Sequence, residues 1–292
     1  MQLLLFEDKK SHRVEPFRTQ LLKWVGNKQR FANQIISYFP ETFGNYIEPF
    51  LGSGALLGTL SPQKAFASDI CKPLVEIWRT LKISPQRVKQ WYAERWQALM
   101  DGDKTEIFNR IKAAYNSNPN GADLLFLSRS CYGGVVRFRQ ADGYISTPCG
   151  IHNPIPPANF SKRVDEWHRR VKGATFAHVG FQEAMAMAKE GDLIYCDPPY
   201  SYSQAILYGG QSFKLNDLFL ATDACKSRGV YVALSIDGTK RSGSQICDLR
   251  IPEGLFEREV IVNCGRSMLK RFQMNGKSLE GEVVADRLLL TY

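Results

Sequence analysis

Leu193-Ile194-Tyr195-Cys196-Asp197-Pro198-Pro199-Tyr200 is the stretch that decides how the chain is read. Four apolar residues stop abruptly at an acid, two prolines and an aromatic ring. Apolar side chains on both faces suit a buried strand in the middle of a parallel sheet. Asp197 then stands at the carboxyl end of that strand, where open α/β sheets place their ligand crevice. Asp197 and Pro198 each precede a proline and are biased to extended backbone. Pro198 and Pro199 have a fixed φ and no N–H, so the corner is stiff and its carbonyls are unclaimed. The alternative is an ordinary strand-to-loop turn in which Asp197 caps something local.

A rigid carboxylate, a backbone carbonyl and an aromatic ring suit one substrate in particular. The exocyclic amine of a nucleobase offers two N–H donors beside a flat π face. A carboxylate and a backbone carbonyl at this corner can accept the two hydrogens while Tyr200 stacks on the ring. Accepting both hydrogens draws the nitrogen lone pair out of conjugation and aims it at an electrophile. That is a geometry for methyl transfer.

Working outward, Tyr46-Ile47-Glu48-Pro49-Phe50-Leu51-Gly52-Ser53-Gly54-Ala55-Leu56-Leu57-Gly58 predicts a strand, a tight glycine turn and a helix. Gly52 and Gly54 let a ligand approach the backbone, and no Gly-Lys-Ser/Thr follows, so this is no P-loop. Lys64 to Ile70 predicts a short strand ending at Asp69, 17 residues after Gly52. That is near the distance at which a doubly wound fold sets an acid on a ribose. The expected ligand is a nucleoside. Upstream, Lys23-Trp24-Val25-Gly26-Asn27-Lys28 leads into helical spacing over 29–39, which puts Lys28 at or just before a helix start.

Residues 74–126 turn helical, with Trp78, Trp91, Tyr92 and Trp96 forming an aromatic stripe read as core. The acidic tip 101–103 and the Asn-rich turn 116–121 separate the helices. The glycine pair Gly133-Gly134, flanked by Tyr132 and by alternating Arg137 and Arg139, can push a ring and guanidiniums out of a loop: arginine suits the guanine edge, and an aromatic can wedge into a base stack. A hairpin with solvated arginines is the equal alternative. A basic helix carrying Val164, Trp167 and Val171 follows, then a strand at 174–179, a helix at 181–189 and the central strand. Residues 201–211 suit a mobile loop over a pocket. A helix over 215–228, a strand over 230–236 ending at Asp237-Gly238, and strands 258–263 and 285–292 complete the sheet. The expected class is α/β, a doubly wound Rossmann-like sheet with an inserted, mainly helical segment.

Composition narrows the field. The formal charge is +9, and residues 129–172 carry eight Lys/Arg against Asp142, Asp165 and Glu166, a local net of +5 that favours a polyanionic partner. Seven cysteines, odd in number and without a C-x-x-C pair, fit neither a disulfide framework nor a zinc site. His152 and His178 have no metal-ligand company, so no metal is expected. No apolar run approaches the roughly 20 residues needed to cross a bilayer, and the first residues lack a signal-peptide pattern. A cytoplasmic protein with no membrane partner is the expectation.

Taken together, Lys23-Trp24-x-Gly26-x-Lys28, Glu48-Pro49-Phe50-x-Gly52-x-Gly54, Ala67-x-Asp69, the Tyr132–Arg137 loop with Gly143 and Pro148-x-Gly150, and Tyr195 to Tyr200 give the chain a likeness to a known family. It resembles the Dam-like DNA adenine-N6 methyltransferases, of the group with target recognition between cofactor motif and Asp-Pro-Pro-Tyr. The resemblance implies S-adenosylmethionine as cofactor and a flipped adenine in double-stranded DNA as substrate. It implies a catalytic domain of residues 1–73 and 161–292 and a target-recognition insertion of 74–160. By position, Trp24, Lys28, Phe50, Gly52, Gly54, Asp69 and Asp197 would hold cofactor. Asp197, Pro198, Pro199 and Tyr200 would be catalytic. Arg129, Tyr132, Arg137 and Arg139 would meet DNA, and a restriction endonuclease is a partner such enzymes have. Gly133 replaces the family's usual Asn after the loop tyrosine, Ser128-Arg129 replaces Asn-Arg, and Gly26-Asn27 replaces Gly-Gly, so the recognised site need not be GATC. Cytosine-N4 methylation and a non-catalytic DNA-binding specificity subunit on the same fold are the rival readings.

Overall fold

The computed structural model describes residues 12–139, 141–199, 213–240, 245–246, 250–266 and 283–292. Its strands are β1 (Tyr46–Glu48), β2 (Ala65–Ser68), β3 (Ala174–Ala177), β4 (Leu193–Cys196), β5 (Tyr231–Lys240), β6 (Gln245–Ile246), β7 (Arg258–Arg266) and β8 (Val283–Leu290). Seven lie side by side in the order β3-β2-β1-β4-β5-β8-β7, and β6 pairs with β5. The pairs from β3 to β5 are parallel, whereas β8 runs antiparallel to both β5 and β7. Strand order reverses between β1 and β4, which is a topological switch point.

β4 is buried along its whole length, as a central strand must be. Its residues alternate between two cores. Leu193 and Tyr195 join the larger cluster, Ile194 and Cys196 the smaller one on the other face. Helices α1 (Ala32–Ile36), α2 (Ala55–Leu60) and α3 (Lys72–Ile83) contribute to the larger cluster. On the other face lie α8 (Phe181–Ala186) and α9 (Leu215–Ser227). Between α3 and β3 come α4 (Pro85–Asp101), α5 (Lys104–Ser117), α6 (Gly121–Ser130) and α7 (Pro157–Arg170).

Of the aromatic stripe, Trp78 and Tyr92 are core, and Trp91 and Trp96 are partly buried against it. Trp78 and Tyr92 are fully buried; Trp78 meets Trp167 at 5.1 Å and Phe176 at 5.9 Å, and Tyr92 stacks on Phe160 at 3.9 Å. Burying each such ring contributes about 2 to 3 kcal/mol. Arg79 Nε also donates to the Phe176 carbonyl at 2.8 Å, so α3 is tied to the sheet edge. The polar turns act as caps: Asp103 accepts the Glu106 N–H at 2.8 Å and Asn120 the Asp123 N–H at 2.9 Å. Several boundaries differ from expectation by a few residues. β5 continues past Asp237-Gly238 to Lys240, and α1 starts only at Ala32, because Asn27 Oδ1 takes the Gln29 N–H at 2.7 Å in an Asx turn.

Candidate active site

Three strands end in an acid on the same side of the sheet. Glu48 closes β1, Asp69 follows β2 and Asp197 follows β4. All three line one cleft of about 1130 Å³ including its mouth, with Trp24, Lys28, Phe50, Gly52, Pro198 and Pro199 among its other walls. The stiff corner and the glycine turn therefore meet, as their positions in the sequence require.

The turn after β1 needs its glycines. Gly52 has φ +48° and Gly54 φ +63°, left-handed values that favour glycine. A Cβ on Gly52 would come 3.2 Å from Trp24 Cδ1, and one on Gly54 would come 3.1 Å from the Trp78 ring. Gly54 caps α2 and lies behind the cleft wall, whereas Gly52 is part of it. Asp69 clasps this turn. Its Oδ2 accepts the Gly52 N–H at 3.0 Å and its Oδ1 accepts the Cys71 N–H at 2.9 Å, while Trp78 Nε1 donates to the Gly52 carbonyl at 3.1 Å. Desolvation pushes the Asp69 carboxyl up, and the backbone donors partly oppose it.

Glu48 is only 3% exposed, and its Oε2 accepts from the Tyr46 hydroxyl at 2.8 Å and the Leu57 N–H at 3.0 Å. Burial raises its carboxyl to about 8, the charge of Asp197 adds to the rise, and the two hydrogen bonds oppose it. At neutral pH Glu48 is largely protonated. Lys28 Nζ lies 2.9 Å from Asp197 Oδ1, so the lysine four residues ahead of α1 faces a carboxylate of the protein itself. Phe50 stacks on Phe181 at 5.3 Å and meets Phe213 edge-on at 5.8 Å, giving the cleft an aromatic wall. Tyr200 and residues 201–211 lie outside the described residues.

The expected DNA contacts separate. Tyr132 and Arg137 are part-exposed on the loop after α6, and Arg139 is exposed. Arg139 Nε donates to Asp142 Oδ1 at 3.0 Å and its guanidinium lies 5.1 Å from the Tyr144 ring centre. Arg129 is a correction to the sequence reading. It is 8% exposed and donates to the Leu21 carbonyl at 3.0 Å and the Gln20 carbonyl at 3.2 Å, under the Phe160 ring. A guanidinium spent on interior carbonyls does not reach a phosphate. The loop itself forms isolated bridges, Cys131 to Cys149 and Phe138 to Ile145, rather than a regular hairpin. Gly134 has φ +67°, a left-handed value that favours glycine, and lies against the Lys23 side chain. Phe138 packs on Trp24 with ring centres 6.4 Å apart, so the loop touches the cleft wall directly.

Sequence reasoning quoted Glu48 within a motif but gave it no role, and it did not single out Phe181, Phe213 or Asp286. For Glu48 a signal existed, since it ends a strand as Asp69 and Asp197 do. Asp286 stands as an acid at the head of the apolar run 288–290, a signal of the same kind. Phe181 and Phe213 carry no local mark.

The chain is similar in sequence to known proteins over most of its length. The family described as D12 class N6 adenine-specific DNA methyltransferase matches residues 24–251, from Trp24 past Asp197. A DNA adenine methylase of Vibrio cholerae serotype O1 is 25% identical over 231 residues, spanning 73% of this chain and 79% of the relative. Type II methyltransferase M1.LlaDCHI of Lactococcus lactis subsp. cremoris is 26% identical over 234 residues, with the same 73% and 79% coverage. The retron Ec67 DNA adenine methylase of Escherichia coli is 30% identical over 192 residues, covering 62% of this chain and 63% of the relative.

Proposed function

The chain belongs to the D12 class of N6 adenine-specific DNA methyltransferases, and from that premise we propose how its residues divide the work. The cytosine-N4 and non-catalytic readings fall away with the family. We infer that the methyl donor is S-adenosylmethionine and that the acceptor is an adenine flipped out of double-stranded DNA. When bound, the cofactor supplies an electrophilic methyl on a sulfonium.

The cleft fits such a group on several counts. Gly52 leaves the backbone approachable, Asp69 offers oxygens to a hydroxyl pair, and the rings of Trp24 and Phe50 suit a flat heterocycle. The Gly52 turn holds the donor's polar end, with Lys28 beside it on Asp197. Asp197 and the Pro198 carbonyl accept the two amine hydrogens, with Pro199 fixing the corner and Tyr200 stacking on the base. Asp197, with the Lys28 ammonium beside it, is too weak a base to deprotonate the amine and acts by polarising it. The amine nitrogen is acidic once it carries the methyl, and Asp197 would take its surplus proton and pass it to water. Rate is gained chiefly through orientation and exclusion of water. Flipping is a physical requirement, because a paired amine cannot reach a methyl held in the cleft.

Residues 74–160 are the target-recognition part and residues 1–73 with 161–292 the catalytic part. Tyr132 replaces or expels the base, and Arg137 grips or reads DNA; Arg139 contributes once it leaves Asp142. A Type II relative favours pairing with a restriction endonuclease. Among the described residues no helix is long and apolar enough to cross a membrane, and we infer a cytoplasmic enzyme.

The convergence of Asp197, Asp69 and the Gly52 turn on one cleft carries this reading. Incubating the protein with methyl-labelled S-adenosylmethionine and mixed-sequence duplex DNA, then digesting to nucleosides, tests it. Label in N6-methyladenine is expected. Label in cytosine, or a protein that binds the cofactor yet labels no DNA, refutes it.

A further inference from the structure

Lys28 is held by more than Asp197. Its Nζ lies 2.9 Å from Asp197 Oδ1, 3.4 Å from Asp286 Oδ2 and 3.3 Å from the Gly26 carbonyl oxygen. The lysine side chain is 5% exposed and that of Asp286 13%, so the contact is screened little by water. Asp286 reaches this point from β8, whose register sets Asp286 opposite Asp237 of β5, near the strand ends that open on the cleft.

The arrangement bears on what Asp197 can do. An ammonium buried beside a single carboxylate sits on it fully, and the neutralised pair accepts weakly from anything else. Here the same ammonium stands between two carboxylates, 2.9 Å from Asp197 Oδ1 and 3.4 Å from Asp286 Oδ2, so its charge and its N–H donors are divided between them. Asp197 then keeps acceptor capacity for an amine, while three acceptors around Nζ hold the lysine in place.

We propose that Asp286 is a positioning residue for methyl transfer: it takes a share of the Lys28 ammonium, and so fixes the Asp197 carboxylate while leaving it able to accept from the target amine. The inference rests on the role proposed for Asp197. A purely structural role, pinning β8 to the strands beneath the cleft, is the competing account.

Single-turnover methyl transfer under saturating cofactor separates the two, using Asp286→Asn, nearly isosteric, and Asp286→Glu, which restores the charge. The expected result is a rate lowered by about 10-fold or more in Asp286→Asn. Half-saturating DNA and the unfolding midpoint should stay close to wild type, and Asp286→Glu should recover most of the loss. An Asp286→Asn rate within twofold of wild type overturns the proposal, as does a rate loss that Asp286→Glu does not relieve. So does a loss that merely tracks a lowered unfolding midpoint. Asp197→Ala, run alongside, keeps the failures apart. If it turns over normally, the role of Asp197 itself is wrong; if it is inactive while Asp286→Asn is unimpaired, only the inference about Asp286 falls.

Discussion

Replacing Glu48 with glutamine removes a titration while keeping an acceptor for Tyr46 and Leu57. In the fold the Glu48 carboxyl is pushed to about 8 by burial, against an ordinary value of 4.5. Between those limits the folded protein holds a proton that the unfolded chain has released. The contribution to stability is therefore complete below the unfolded value, declines as pH rises through the window, and is gone above about 8. Across the whole window this amounts to on the order of 4 kcal/mol, and burial at 3% exposure calls for no discount for solvent screening. Glutamine cannot titrate, so Glu48→Gln lacks this dependence. Urea unfolding of both proteins at about pH 5.5 and about pH 8.5 measures it. Wild type should lose on the order of 3 kcal/mol relative to Glu48→Gln between the two conditions. Parallel pH profiles, or a wild type that gains on the variant as pH rises, would mean that Glu48 is ionised in the fold and that the reasoning is wrong.

Three further outcomes follow from the geometry. Gly58→Ala places a Cβ 2.4 Å from the buried Trp167 ring, so overpacking of about 1 to 3 kcal/mol should outweigh the gain in helix propensity and lower the unfolding midpoint. Arg137→Ala should weaken DNA binding and flatten its salt dependence by about one counterion, with thermal stability unchanged; a binding isotherm identical to wild type would remove Arg137 from the interface. Arg129→Ala should do the reverse, costing about 2 kcal/mol of stability through the lost carbonyl bonds, while the folded fraction binds DNA nearly as before.

What the sequence made legible was what it holds contiguously. The buried run 193–196, the proline corner, the glycine turn and the acid 17 residues beyond Gly52 each carry their own local physics. A parallel sheet then brings its strand ends together. Arg129 was misplaced because every residue of α6 is buried, so no polar stripe marks which side chains turn inward. The Lys28–Asp286 contact joins the two ends of the chain through the antiparallel insertion of β8 beside β5, a pairing no local pattern encodes. The aromatic wall of Phe50, Phe181 and Phe213 likewise exists only after the chain has folded.

The central claim is that a carboxylate on a rigid corner receives the target amine beside the donor's pocket. Asp197→Ala tests it most directly, by measuring cofactor affinity calorimetrically and methyl transfer to DNA in the same preparation. The account predicts transfer lost and cofactor bound within a few-fold of wild type. Transfer at the wild-type rate would contradict it.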